Sequence, residues 1–245
     1  MSELVKRLDR LFLKLDHMAL LVEQILADAL FAINTGNESD VQMVIESDEA
    51  VDQREVEIER ECIRLLALYQ PAAGDLRRIC FIIKANNDLE RIADLCVNLA
   101  KMSRILTAEH IDVREFPAFE KLAGEVSDAY RQTMRLISPQ RQESGDTTQV
   151  GIQAITPGNT AGVAPYYHEL ARTIIRRDTE QIDVTFREYL DEIFSSEGMF
   201  HGKVNALYAL TTMGRALERL GDQCTNIAED AIFLITGEIV RHEFS

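Results

Sequence analysis

The chain has 245 residues, 46% of them hydrophobic, and a formal net charge of −15. This acidity argues against non-specific binding to nucleic acid or to an anionic membrane surface, and it favours cations or a basic patch on a partner protein. The first residues, MSELVKRLDRLFLKLDHM, carry charges every few positions, unlike a signal peptide, and no unbroken apolar run approaches the length of a membrane span. We therefore expect a cytoplasmic protein that meets membranes only through its partners.

Apolar residues recur every three or four positions over most of the chain, which is the period of amphipathic α-helices. The five prolines fall between these periodic segments and separate them into six helices. Segment 138–165 holds three of the prolines and four glycines, so we predict a flexible insertion there. The six predicted helices cover about 3–34, 40–69, 74–107, 119–137, 166–194 and 199–235.

A twelve-residue stretch occurs twice, 128 residues apart. The first copy, Leu89 to Ala100, reads LERIADLCVNLA, and the second, Leu217 to Ala228, reads LERLGDQCTNIA, with seven identical positions. Such a repeat indicates an internal duplication of about half the chain. Three long helices joined by short turns must run up, down and up, so the first half predicts a three-helix bundle. The sequence thus predicts an all-α fold of two pseudo-symmetric three-helix bundles, residues 3–110 and 117–242.

Each copy of the motif places two carboxylates four residues apart, Glu90 with Asp94 and Glu218 with Asp222. On an α-helix this spacing puts both groups on one face, about 40° apart around the axis. Each Glu shares its face with apolar or uncharged residues, so the acid should be neutralised, paired or bound to a cation. For a single pair in so acidic a chain, a solvated helix face is the alternative.

Other acids on the neighbouring helices extend these pairs. Asp48 and Asp52 form a further pair on the second predicted helix, and Asp183 lies on the fifth. Aligning Asp183 with Asp52 puts Thr179 where Asp48 sits, although Asp178 is adjacent, so the second site is expected to be weaker or differently coordinated. Carboxylate-only sites suit hard cations such as magnesium, manganese or iron. The predicted metal ligands are Asp48, Asp52, Glu90, Asp94, Asp183, Glu218 and Asp222.

Little in the sequence indicates catalysis. There is no Glu-x-x-His pair for a ferritin-like di-iron centre, no GxxxxGK[ST] phosphate loop, no GxSxG elbow and no CxxC pair. The four cysteines fall in helical patterns and are expected to be buried free thiols. We therefore expect a protein that is not an enzyme, with a metal-dependent, carboxylate-bridged enzyme or a plain helical scaffold without metal as alternatives.

At the repeated motifs the sequence resembles the PhoU family, the accessory proteins of phosphate-specific transport, whose repeat reads roughly LERIGDxxxNIAE. LERLGDQCTNIAED is close to the second copy of that repeat and NNDLERIADLCVNLA to the first, and the DEAVD element from Asp48 to Asp52 also fits. Ala93 replaces the usual Gly of the first copy, and Lys101 stands where the second copy has Glu229. The resemblance implies metal at the E/DxxxD motifs, whether iron, manganese, magnesium or zinc, and a homodimer.

The resemblance also implies a role. Proteins of this family damp phosphate uptake by the phosphate ABC importer and damp the phosphate-starvation response of a two-component system. The implied partners are the ATPase subunit of the importer and the phosphate-sensing histidine kinase, with no role for nucleic acid.

Overall fold

The structure, a computed structural model, describes residues 2–137 and 164–239. These residues form helices and turns without any strand, which confirms the predicted all-α fold. A π-helix, Asp178–Ile182, joins α5 to α6 without a break, so these two segments occupy the place of one predicted helix. The α-helices are α1 (Glu3–Thr35), α2 (Glu38–Tyr69), α3 (Ala73–Ala108), α4 (Pro117–Ile137), α5 (Ala164–Arg177), α6 (Asp183–Ser195) and α7 (Val204–Thr236).

The helix ends follow local chemistry. Ser2 caps α1 by accepting a hydrogen bond from the backbone N–H of Val5, and the Asn37 side chain caps α2. Gly36 and Gly237 end α1 and α7 in the left-handed conformation, with φ of +62° and +81°, which costs glycine little. The short connections between α1, α2 and α3 make these helices run antiparallel in sequence order.

The two repeats share one hydrophobic core. Helices α1, α2 and α3 pack on one another, as do α4, the α5–α6 rod and α7, and one continuous cluster of buried apolar residues includes all of them. The motif helices α3 and α7 make the most extensive helix–helix contact among the described residues. Across it, Lys84 Nζ lies 2.6 Å from Asp230 Oδ1. Because the core is shared, the domain limits at 110 and 117 stay a prediction.

Three details differ from the sequence-based expectation. The fifth predicted helix is interrupted by the π-helix. The sixth begins at Val204 rather than Met199, because the 3-10 helix Glu197–Phe200 ends at His201 and is followed by a turn in which Gly202 has a left-handed φ of +81°. The predicted insertion at 138–165 lies outside the described residues, except for its last two positions, which belong to α5.

Helix α1 is long and apolar enough to cross a membrane by length and composition. It is, however, a core helix of this fold, with twelve buried residues packed against α2, α3 and α4. The buried face accounts for only part of this apolarity, since the large hydrophobic side chains of Leu13, Leu20 and Phe31 on the same helix are exposed.

Candidate functional site

Two contacts fix the register of α2 against α3. Near one end, Arg104 Nε donates to Glu38 Oε2 at 2.8 Å. Further along, Asn86 Nδ2 donates to the backbone carbonyl of Glu55 at 3.0 Å. Because the helices are antiparallel, this register brings the acid pairs predicted on α2 and α3 to the same level.

The first cluster comprises Asp48 and Asp52 on α2 with Glu90 and Asp94 on α3. The pKa of Asp48 is raised to about 6, mainly by burial and next by repulsion from the carboxylates of Asp52 and Asp94, against a smaller opposing effect of Lys101. Burial also raises the pKa of Glu90, with repulsion from Asp94 and Asp52 next in size. Within residues 2–137 and 164–239 none of these four acids forms an ion pair. The negative charge of the cluster is therefore offset only in part, by Lys101.

Two contacts likewise fix the register of the α5–α6 rod against α7. Tyr189 Oη donates to the backbone carbonyl of Leu210 at 3.0 Å, and Thr225 Oγ1 donates to Asp178 Oδ2 at 3.0 Å. The rod and α7 run antiparallel, since a short turn joins them. This places Asp183 at the level of Glu218.

The second cluster comprises Asp178 and Asp183 on the rod with Glu218 and Asp222 on α7. The pKa of Asp178 is raised to about 7, mainly by burial, which outweighs the lowering effect of the Thr225 hydrogen bond, and to a smaller extent by repulsion from the neighbouring acids Asp222, Asp183 and Glu218. Burial likewise raises the pKa of Glu218 and of Asp222, with neighbouring carboxylates as the next cause. As in the first cluster, no ion pair to these acids occurs in the described part of the chain.

The structure thus places the four predicted acids of the first half at one level of α2 and α3, and the three of the second half at one level of the rod and α7, close enough to influence one another electrostatically. Asp178 was missed as a member of the second cluster, because an α-helical register was assumed and Thr179 fell at the equivalent position. Its only signal in the sequence was its place next to Thr179. The five-residue spacing from Asp178 to Asp183 belongs to the π-helix, which sequence periodicity does not reveal.

The donor type fits a hard cation, since every member of both clusters is a carboxylate. Asp178 Oδ1 is buried without a hydrogen-bond partner, which is costly unless a donor or a cation reaches it. In the described residues, however, no three His, Cys, Asp or Glu side chains converge closely enough to form a ready-made metal site. Holding a cation would require side chains such as the exposed Asp52, Asp94 and Asp222 to turn inward.

Comparison with known proteins identifies the family. A family model described as PhoU domain matches this chain twice, over residues 15–103 and 163–231. The chain belongs to the PhoU family. The two matches coincide with α1–α3 and with the second repeat from α5 to α7, so each PhoU repeat carries one acid cluster.

Individual PhoU proteins are similar to this chain over nearly its whole length. The "Phosphate-specific transport system accessory protein PhoU homolog" of Aquifex aeolicus is 32% identical over 98% of this chain and 96% of its own length. The Thermotoga maritima "PhoU homolog 1" is 28% identical over 91% of this chain and 85% of its own. The crystal structure of PhoU from Pseudomonas aeruginosa superimposes with a TM-score of 0.79 at 27% identity, covering 95% of this chain and 99% of that one.

Proposed function

We propose that this PhoU-family protein is a regulatory adaptor of phosphate homeostasis. It damps uptake by the phosphate ABC importer through the ATPase subunit, and it damps phosphate-starvation signalling through the phosphate-sensing histidine kinase. The support is the match of both repeats to the PhoU domain, together with relatives named accessory proteins of the phosphate-specific transport system. We propose that it acts in the cytoplasm as a homodimer.

We further propose that metal binding sets the state of the adaptor. A divalent or trivalent cation, iron, manganese, magnesium or zinc, would be held in the first cluster by Asp48, Asp52, Glu90 and Asp94. The predicted ligands of the second cluster are Asp183, Glu218 and Asp222. When bound, the cation would neutralise carboxylate charge that Lys101 near the first cluster and Arg215 and Arg219 near the second offset only in part.

The observation that carries this proposal is the pairing of facing carboxylates on α2–α3 and again on the rod and α7, without a compensating ion pair in the described residues. Like charges brought together at a helix interface destabilise the fold, and a cation between them reverses the sign of that interaction. Metal occupancy would therefore change both the charge and the rigidity of the helices that carry the repeated motif.

The test is binding of the purified protein to the importer ATPase subunit, with bound metal retained in one sample and stripped in the other. We expect binding that depends on metal and that weakens in the double variant Glu90→Gln with Glu218→Gln. Glu49→Gln is the matched control, because it removes one charge from an exposed position beside Asp48. Absence of binding to both the ATPase subunit and the kinase, with all proteins folded, would refute the adaptor function.

The alternative function, a metal-dependent enzyme, uses the same acids and is separable from the adaptor. It requires turnover that disappears in Glu90→Ala or Glu218→Ala. A broad substrate panel assayed on metal-loaded protein decides between the two, because an adaptor is expected to show no turnover that these substitutions remove.

A further inference from the structure

The outward side of helix α1 is a single line of residues spaced alternately three and four apart. This line, the exposed seam of α1, consists of Glu3, Lys6, Arg10, Leu13, His17, Leu20, Gln24, Ala27, Phe31 and Asn34. Its spacing is that of the contact positions of a coiled coil, onto which a second helix packs. From Leu13 to its end the seam holds no Asp, Glu, Lys or Arg, and Leu13, Leu20 and Phe31 are 45%, 41% and 59% exposed. A contact surface for a second helix is therefore open to solvent.

The corresponding helix of the second repeat lacks such a surface. Helix α4 begins the second repeat as α1 begins the first, and its outward side carries no large hydrophobic residue. The exposed residues of α4 are Pro117, Glu120, Lys121, Gly124, Arg131 and Arg135. The fold therefore does not require an apolar outer side on the first helix of a repeat. A row of exposed apolar side chains that only one repeat carries is typical of an interaction surface.

The charges of α1 are divided along its length in a way that suits a second copy of the same helix. Residues 3–14 include four basic and two acidic residues, whereas residues 15–34 include three acidic residues and no Lys or Arg. Two copies packed antiparallel place the basic part of each helix against the acidic part of the other, and a parallel pair would place like charges together. A two-fold axis makes both contacts identical, as in most homodimers.

The cations on the seam itself are available for such a contact. Lys14, beside the seam, is held by Glu57 and Glu61 of α2, with Nζ–Oε distances of 2.9 and 2.5 Å. Lys6 and Arg10, on the seam, form no ion pair within residues 2–137 and 164–239. These two side chains can therefore meet a partner without breaking an existing ion pair.

Overlap of the two helices over their full length gives a definite register. The two-fold axis then passes between His17 and Leu20, and Leu20 of each copy packs on His17 of the other. Arg10 lies within one residue's rise of Asp28 of the second copy. At the ends, Lys6 lies level with the Phe31 ring of the second copy, as a cation–π contact requires.

The size of the contact suits a dimer that depends on few residues. Helix α1 has 33 residues and is therefore about 50 Å long. Packed helices lie about 8–10 Å apart, so a band of that width along α1 covers about 500 Å² on each copy. The total of about 1,000 Å² is the lower limit for a specific interface, so loss of one central apolar side chain should matter.

We propose that the exposed seam of α1 is the contact surface of the homodimer, in which the α1 helices of two copies pack antiparallel about a two-fold axis between His17 and Leu20. This assignment rests on the homodimer proposed above and names its contact surface. It also gives a reason for the exposed leucines and phenylalanine of a helix whose other side is core.

The first experiment measures the dimer dissociation constant of the full-length protein by sedimentation velocity over a range of concentrations. Phe31→Glu should raise this constant about tenfold or more, because it places a charge in the apolar part of the seam. Phe194→Glu is the matched control, since Phe194 is 55% exposed on α6 of the other repeat, and it should leave the constant unchanged. Far-UV circular dichroism verifies that both variants are folded.

A pair of charge reversals tests the antiparallel register. Arg10→Asp and Asp28→Arg should each weaken the dimer, because each places like charges level with one another at two symmetric positions. The variant that carries both changes should dimerise as the wild type does, since the pairs are restored with opposite sign. Two single variants that dimerise normally, or a double variant weaker than both, would refute this register.

The remaining outcomes separate the surface from the function beneath it. If Phe31→Glu leaves the dimer intact but loses binding to the importer ATPase subunit, the seam is the docking surface of that subunit and the proposal fails. If it leaves the dimer intact but abolishes binding to phosphatidylcholine vesicles, the seam binds membrane and the proposal also fails. A wild type that stays monomeric at every concentration removes the homodimer and its surface together, while binding to the ATPase subunit still tests the adaptor function.

Discussion

Substitution of Gly221 by alanine is the sharpest test of the packing around the second cluster. The added Cβ would lie 2.5 Å from Asp178 Oδ1 and 3.0 Å from Ile182 Cδ1, closer than side chains tolerate. The Asp178 carboxylate, which accepts a hydrogen bond from Thr225, would have to shift to make room for the added methyl group. We therefore expect Gly221→Ala to destabilise the protein, although alanine is the better helix former.

The magnitude follows from two opposing effects. Overpacking a well-filled interface costs about 1–3 kcal/mol of the free energy of unfolding. Replacing glycine by alanine inside a helix gains up to about 1 kcal/mol. The net expected loss is about 1 kcal/mol, which lowers the melting temperature of a chain of this length by about 2–4 °C.

Gly124→Ala is the matched control, because Gly124 lies inside α4 and a Cβ added there would have no neighbouring atom within 4 Å. At that position only the higher helix propensity of alanine acts, and the melting temperature should rise by about 2–4 °C. Thermal unfolding followed by circular dichroism at 222 nm measures both variants, and the difference between them isolates the steric cost. A Gly221→Ala protein as stable as the Gly124→Ala protein would refute the close approach of Asp178.

Four further outcomes are expected. Stripping metal from the loaded protein should lower its melting temperature, because a ligand at about 100 times its dissociation constant stabilises the folded state by about 2.7 kcal/mol. The metal-free protein should become less stable as pH rises from about 4 to 7. The pKa values of Asp48 (about 6) and Asp178 (about 7) in the folded protein lie above the ordinary value of 3.8. The folded state therefore binds more protons than the unfolded state in that window and loses stability as they dissociate. A thiol reagent should modify Cys80 first, as judged by mass spectrometry of the native protein, because the other three cysteines are buried. Lys84→Met should lower the free energy of unfolding, measured by urea denaturation, by about 1–3 kcal/mol. The substitution removes the ammonium group that pairs with the buried carboxylate of Asp230.

Each of these outcomes has a control or a contrary result. Chelation should leave the melting temperature of the Glu90→Gln and Glu218→Gln double variant unchanged. In Asp178→Asn the pH dependence should flatten, and a wild type that grows more stable over the same window would contradict the raised pKa values. Equal labelling rates at all four thiols would contradict the burial of Cys62, Cys96 and Cys224. Adding Asp230→Asn to Lys84→Met should recover part of the lost stability.

The features that the sequence predicted well are those set by local chemistry or by helical period. Gly36 and Gly237 end helices through their own backbone preference, so these ends could be placed from the sequence. Glu90 and Asp94 share a face because of their spacing alone. Their meeting with Asp48 and Asp52 follows once three long helices with short turns are forced to run antiparallel.

The features that the sequence did not predict depend on contacts between helices. The π-helix lies where Asp178 packs against Gly221 and accepts a hydrogen bond from Thr225 of α7. No periodicity in residues 178–182 indicates it. The start of α7 at Val204 follows a turn with a left-handed backbone at Gly202, whereas the sequence-based prediction began this helix at about Met199. Whether the facing carboxylates converge depends on their side-chain rotamers, which helical spacing leaves free.

The π-helix also has a consequence for how such repeats change during evolution. A single codon inserted into a regular helix would rotate everything on one side of it by about 100° and turn buried residues towards solvent. Here Tyr167 and Ile174, on the far side of the extra residue, remain 0% and 1% exposed. A side chain can therefore keep its position at a helix interface across an insertion that displaces it in a gapless alignment. Related repeats should accordingly be compared by superimposing their backbones.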